Sequence, residues 1–167
     1  MIIIISNLPI LDPVLKVSKP RIIALDFDGV FTLLKGRKDK LFKVLVIPYL
    51  IQSLRFLLRP VPNQKIVDTF KEIKNNTKIC LIILTSRPYC FKKIVRRWLI
   101  KNDIIRCPLF CVGRFINPTK KKEEFLERLK EKFEVVVVDN SLKTREVFKK
   151  KGFETKSPYE FCQNREI

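Results

Sequence analysis

The sequence predicts an α/β fold: a mostly parallel central sheet with helices on both faces. Three short apolar runs, at 21–26, 79–85 and 134–139, read as buried strands. Between them, apolar residues recur at helical spacing. Strands that alternate with amphipathic helices return in the same direction each time, which builds a parallel sheet covered on both sides. A third feature locates the chemistry. Acids cluster where two of the runs end, and open α/β sheets hold their ligands along that C-terminal edge.

The elements follow in order. Arg21-Ile-Ile-Ala-Leu-Asp-Phe-Asp-Gly-Val-Phe-Thr32 is an apolar strand running into a glycine turn. Ile66, Phe70 and Ile73 share one face of a helix before the second strand. After that strand, Phe91, Ile94, Val95, Trp98 and Leu99 form an apolar stripe, in a helix opened by Arg87-Pro88. Leu109-Phe-Cys-Val112 is a weaker fourth strand. Thr119 suits the N-cap of a helix carrying Phe125, Leu126 and Leu129. Val147 and Phe148 mark a last helix, stopped by Gly152, and Phe153-Glu-Thr155 suits a fifth strand. The chain is read as one domain over 1–167, with a 1–20 N-terminal extension and a small apolar helical insert at 33–63. Within the insert, 41–59 is apolar nearly all round. Lys43, Pro48, Gln52 and Arg55 interrupt it, which argues against a bilayer span. It is expected to pack on the domain or on a second copy, as a homodimer contact, with a membrane-surface contact as the alternative.

Composition narrows the chemistry. The 167 residues are 46% apolar, enough for a packed core. Lys and Arg number 35 against 17 acids, a net charge of +18 that favours polyanionic partners such as nucleic acid. The same excess, spread along the chain, also suits a solvated basic surface. Five irregularly spaced cysteines do not form a disulfide framework. With no histidine in the chain, Ser-His-Asp and Cys-His catalysis are excluded, and a zinc site is disfavoured. Any chemistry rests on carboxylates, lysine, hydroxyls or a metal. Met1-Ile-Ile-Ile-Ile-Ser6 is apolar but too short for a secretory leader, so a reduced, cytoplasmic setting is expected.

Asp26 and Asp28 alternate along an extended chain and are expected to point the same way. Two close carboxylates repel and call for a cation or a shared proton. The pair suits a nucleophile, an acid/base and a Mg²⁺ between the charges. The plainer alternative makes them turn and capping residues.

Asp26-Phe-Asp-Gly-Val-Phe-Thr32 resembles the first motif of the haloacid dehalogenase-like (HAD) phosphohydrolase superfamily, Asp-x-Asp-Gly-x-x-Thr. Leu81-Ile-Ile-Leu-Thr85-Ser86-Arg87-Pro88 resembles its second, a strand ending in Thr or Ser. Lys120, Lys121 and Lys122 all suit the third, a helix-borne lysine, and Lys122 is preferred because Phe125-Leu126 follow it. Val135-Val-Val-Val-Asp139-Asn140-Ser141 fills the fourth. The resemblance covers residues 21 to about 153, in order. The fourth motif departs from the common Gly-Asp or Asp-Asp form. Its Asp-Asn-Ser looks like that of the superfamily's polymerase-tail phosphatases, where the Asn is a metal ligand.

The resemblance implies a Rossmann-like HAD fold with a minimal cap, since only about 50 residues separate motifs one and two, and about 50 separate motifs two and four. It implies a Mg²⁺-dependent phosphomonoesterase. Asp26 is its nucleophile and Asp28 its acid/base. Thr85 and Lys122 hold the phosphoryl group, and the metal ligands are drawn from Asp26, Asp28 (through its backbone carbonyl), Asp139 and Asn140. The substrate is expected to be a nucleotide or nucleic-acid end, or a small phosphorylated metabolite. The Thr85-Ser-Arg-Pro88 start followed by Trp98-Leu99 looks like the 3′-phosphatase domains of polynucleotide kinases, and the outer face of that helix carries Lys92, Lys93, Arg96, Arg97 and Lys101. The alternative is a non-catalytic nucleic-acid- or partner-binding protein on a degenerate HAD scaffold.

Overall fold

A computed structural model describes residues 19–33, 61–76, 78–113 and 118–163. The elements are β1 (Arg21–Leu25), a single wide turn (Phe27–Phe31), α1 (Gln64–Ile73), β2 (Ile79–Pro88), a 3₁₀ turn (Tyr89–Phe91), α2 (Lys92–Lys101), β3 (Leu109–Gly113), α3 (Pro118–Lys130), β4 (Glu134–Val138), α4 (Leu142–Lys150), β5 (Glu154–Lys156) and α5 (Pro158–Gln163). The five strands form one parallel sheet in the order β3-β2-β1-β4-β5. The chain is thus the expected α/β, Rossmann-like fold.

Alternation along each strand sends side chains to two separate cores. Ile23, Leu25, Leu81, Ile83, Val136 and Val138 face Ile66 and Phe70 of α1, Val95 and Leu99 of α2, and Phe161 of α5. Ile22, Ala24, Ile82, Leu84, Val135 and Val137 face Leu126 of α3 and Phe148 of α4. The register keeps these sets level, with Ile23 opposite both Leu81 and Val136, and Leu25 opposite both Ile83 and Val138.

Strand order decides where a ligand can sit. From β1 the chain winds outward through β2 to β3, then crosses back to place β4 on the other side of β1. The crossovers leave the sheet in opposite senses there, opening a crevice at the C-terminal ends of β1 and β4. Asp26 and Asp139 are the residues immediately after those two strands. The Asp26 N–H donates to the Val138 carbonyl at 2.9 Å, which locks the two strand ends together.

Several boundaries differ from the sequence reading. β1 and β4 stop at Leu25 and Val138, one residue short of the acids. β2 continues through Pro88, so Arg87-Pro88 closes a strand and does not open α2. Proline is tolerated at that strand end, since its missing N–H breaks the ladder only where pairing already finishes. Thr119 lies inside α3, which starts at Pro118; proline favours the first helical position, where the N–H is unsatisfied anyway. β5 sits one residue later than 153–155, because Phe153 turns into the core. The short α5 has no sequence counterpart above. The 41–59 segment lies outside the described residues, as do most of the 1–20 extension and of the 33–63 insert. The ends of the insert are visible: Leu33 N–H donates to the Val61 carbonyl at 2.9 Å and Asn63 N–H to the Phe31 carbonyl at 2.7 Å. This antiparallel neck stands directly after the turn that follows Asp26. Among the described residues no helix is long and apolar enough to cross a membrane. All five cysteines are free.

The β2–β3 pairing shifts register between Thr85 and Pro88, where Pro88 lies opposite Gly113. A Cβ at position 113 would land on the Ser86 carbonyl oxygen. Gly113→Ala is therefore expected to lower stability by about 1–3 kcal/mol, seen as a reduced urea midpoint at unchanged m-value.

Candidate active site

The turn at 27–31 is dictated locally. Asp26 is extended (φ −65°, ψ 152°), and its Oδ1 accepts the Phe27 N–H at 2.8 Å. Gly29 takes φ +81°, a region that disfavours side chains, and its N–H donates to Thr32 Oγ1 at 3.3 Å. Phe27, Val30 and Phe31 anchor the turn from below, with Phe27 edge-on to Trp98 at 5.1 Å and Phe31 to Phe70 at 5.6 Å. The strict alternation expected for Asp26 and Asp28 ends at Leu25, because the Asp26 side chain captures the next N–H and starts a turn.

Three charged residues from three elements meet beneath this turn. Lys122 of α3 extends its ammonium to Asp26 Oδ1 at 2.9 Å and to Asp139 Oδ2 at 3.4 Å. The three side chains are only 5%, 13% and 3% exposed respectively. Asp139 is fixed further by the Ser141 N–H on its Oδ1 at 2.8 Å, and Arg145 donates to its carbonyl at 2.6 Å. Of the three lysines considered, Lys120 is exposed, Lys121 pairs with Glu124, and only Lys122 reaches the carboxylates. Lys122 sits one helical turn before Leu126, so the face that packs on the sheet carries the ammonium inward with it.

Asp28 turns to a different partner. Arg87 grips its carboxylate twice, Nη2 to Oδ1 at 2.6 Å and Nε to Oδ2 at 2.9 Å. The guanidinium is buried and lies 5.7 Å from the centre of the Phe27 ring. Thr85 is fully buried; its Oγ1 accepts the Arg87 N–H at 3.2 Å, fixing the backbone that aims this arginine. Asn140 is exposed, and its carboxamide lies against Gly29, where a Cβ would collide with it. Asp26, Asp28, Asp139, Asn140, Thr85 and Lys122 therefore all occur along the C-terminal edge. Asp26, Asp139 and Lys122 are in direct contact, whereas Asp28 and Thr85 are tied to Arg87. Arg87 is the site residue missed in the sequence. Its signal was its place directly after Thr85-Ser86, but a surface charge has the same letter.

Charge accounting explains the electrostatics. Asp26, Asp28 and Asp139 carry three negative charges, against two positive charges from Lys122 and Arg87. Burial pushes the Asp26 carboxyl up to about 7; Lys122 opposes this, and Asp139 and Asp28 add to it. Burial alone would lower the Lys122 ammonium, yet Asp26 and Asp139 outweigh it and hold it above its usual range. Among the described residues no three acidic, Cys or His side chains are arranged as a metal site. The residues present nonetheless fit a hard cation: one negative charge in excess, buried carboxylates on neighbouring strand ends, and a neutral amide oxygen on Asn140 beside them.

These charges set a pH dependence. Asp26 is protonated in both folded and unfolded chains below about 3.8, and ionised in both above about 7. Between those values the folded chain binds the extra proton, so this group's contribution makes stability fall as pH rises. Asp26→Asn removes the buried charge. The variant is expected to gain a few degrees of Tm relative to wild type on going from pH 5 to pH 8, read by thermal unfolding at both.

No known family model matches the sequence, and no curated protein matches it significantly. Solved structures do match. A chain of the Pnkp1/Rnl/Hen1 RNA repair complex superposes with a TM-score of 0.65 at 20% identity, over 83% of this chain and 42% of that one. A second structure of the Pnkp1/Rnl/Hen1 complex gives 0.64 at 20% identity, over 91% of this chain and 50% of the other. The HAD domain of effector protein Lem4 from Legionella pneumophila gives 0.48 at 11% identity, over 84% and 85%. This chain spans half or less of the length of the RNA repair chains it matches. For the two RNA repair chains, at 20% identity, the likeness is one of fold, and it agrees with the parallel five-stranded α/β architecture described above.

Proposed function

We propose that this chain is a Mg²⁺-dependent phosphomonoester hydrolase of the HAD type, acting through an aspartyl-phosphate. The observation that carries the reading is Lys122 bridging Asp26 and Asp139 at the point where the sheet changes winding direction. In this reading Asp26 is the nucleophile. Its Oδ1 is held by the Phe27 N–H and by Lys122, which leaves Oδ2 to attack phosphorus in line with the leaving oxygen. Lys122 balances charge on Asp26 and on the transferring group. Asp28 protonates the leaving oxygen and then activates water, and its pair with Arg87 opens for each transfer. Thr85, three residues before β2 ends, serves the phosphoryl site. The Asp26 carboxylate, the Asp28 carbonyl, Asp139 and Asn140 would hold Mg²⁺. Bound there, the metal would neutralise nucleophile and phosphate so that two anions can approach.

The substrate class is a nucleotide or nucleic-acid end, or a small phosphorylated metabolite. The net charge of +18 favours the former. The RNA repair complex whose chain shares this fold is consistent with it.

A screen of aryl phosphate, sugar phosphates, nucleoside monophosphates and phosphorylated oligonucleotides tests the reading. Wild type with saturating Mg²⁺ is expected to turn over at least one substrate. Asp26→Asn is expected to lose activity by more than about 10³-fold. If both are equally inactive, the chain is a binding protein on this scaffold. Asn140→Asp adds the charge that Asn140 lacks. It is expected to lower the Mg²⁺ concentration for half-maximal activity, by about tenfold in a metal titration.

A further inference from the structure

The four motif positions handle only the phosphoryl group, and the leaving group must be held by something beside them. The described edge of the sheet offers a specific contact. β2 ends at Pro88, and the 3₁₀ turn that follows turns Tyr89 outward, leaving it 72% exposed. Two residues earlier, Arg87 is buried and grips Asp28. β2 lies next to β1 with Ile83 opposite Leu25, so it runs five residues past that level before ending at Pro88. Tyr89 therefore stands just beyond the same C-terminal edge, two residues along the chain from the arginine that grips Asp28.

Its surroundings are cationic. The Lys92 ammonium lies 5.3 Å from the centre of the Tyr89 ring. From there α2 leads away from the edge with Lys93, Arg97 and Lys101 exposed. Arg96, on the same helix, is used internally and donates to the Cys107 carbonyl at 2.6 Å. A flat aromatic face open to solvent, a cation beside it and further cations behind it match the way unpaired nucleotides are held. The base stacks on the ring while the backbone phosphates meet lysine and arginine.

The geometry points to Tyr89 as a stacking platform for a nucleobase, so that the phosphate monoester presented to Asp26 belongs to a nucleotide unit. This rests on the phosphohydrolase reading and deepens it by naming the leaving group. A sugar phosphate without a base has nothing to lay on the ring.

The test measures equilibrium binding on the Asp26→Asn background, so that turnover does not intervene, using adenosine monophosphates and ribose 5-phosphate as probes. With Tyr89 present, the adenosine phosphates are expected to bind about tenfold more tightly than ribose 5-phosphate. In Tyr89→Ala that ratio is expected to fall to about one, and in Tyr89→Phe, which keeps the ring and loses the hydroxyl, to return. A ratio near one with Tyr89 intact, or a ratio unchanged by Tyr89→Ala, overturns the proposal. Wild-type turnover separates the two readings. Hydrolysis with no preference for base-bearing substrates sinks the stacking role alone. A preserved binding ratio without any turnover sinks the hydrolase reading and keeps the platform. Adding a 3′-phosphorylated tetranucleotide distinguishes a free nucleotide from a strand end, because only the latter gains salt-dependent affinity from Lys93, Arg97 and Lys101.

Discussion

One buried ammonium shared by two buried carboxylates organises this molecule. Lys122 is drawn from α3 on one face of the sheet, and Asp26 and Asp139 from the ends of two adjacent strands. Leaving any of the three without the others would bury an uncompensated charge, which is far costlier than losing a surface pair. The contact therefore constrains how α3 lies across the sheet and how far β1 and β4 run before their acids. It also forces Phe27 and Asp28 into a turn, since Asp26 spends its Oδ1 on the Phe27 N–H as well as on Lys122.

A second pair, Arg87 with Asp28, balances the first. Both pairs are aimed by backbone: the first by the strand ends, the second by the shifted register between Thr85 and Pro88 and by the Thr85 hydroxyl on the Arg87 N–H. The two systems divide the acids, with Asp26 and Asp139 on the lysine and Asp28 on the arginine. Burial pushes the Asp26 carboxyl toward neutrality, and the nearby Asp139 and Asp28 add to that push. A group so placed is poised to change protonation or to accept a cation, the condition met by functional carboxylates. The apolar side chains beneath, Phe27 against Trp98 and Phe31 against Phe70, hold the turn still while the charges above it are rearranged.

The apolar runs made the fold legible. Ile22 to Leu25 and Val135 to Val138 are each buried on both faces, a pattern that a parallel central strand shows and few other elements do. The stripe Val95, Trp98 and Leu99 likewise announced α2. Boundaries were less legible. Pro88 reads as a helix start in sequence and closes a strand in space, and Thr119 reads as a cap where Pro118 already begins the helix. Each of these is a local preference that two neighbouring states can satisfy, and the pairing partner decides between them.

By itself, the sequence determined the alternation of strands and helices, the acids at the strand ends, and the absence of any histidine-based chemistry. Periodicity and composition are local quantities, and those conclusions need nothing more. Only the tertiary structure decided that Lys122 and not its two neighbours meets Asp26, and that Arg87 is buried on Asp28 and not exposed among the other basic residues. Those outcomes depend on strand order and on which face of each helix the two cores claim. They involve residues 59 or more positions apart, as Asp28 and Arg87 are, and no window along the chain contains both.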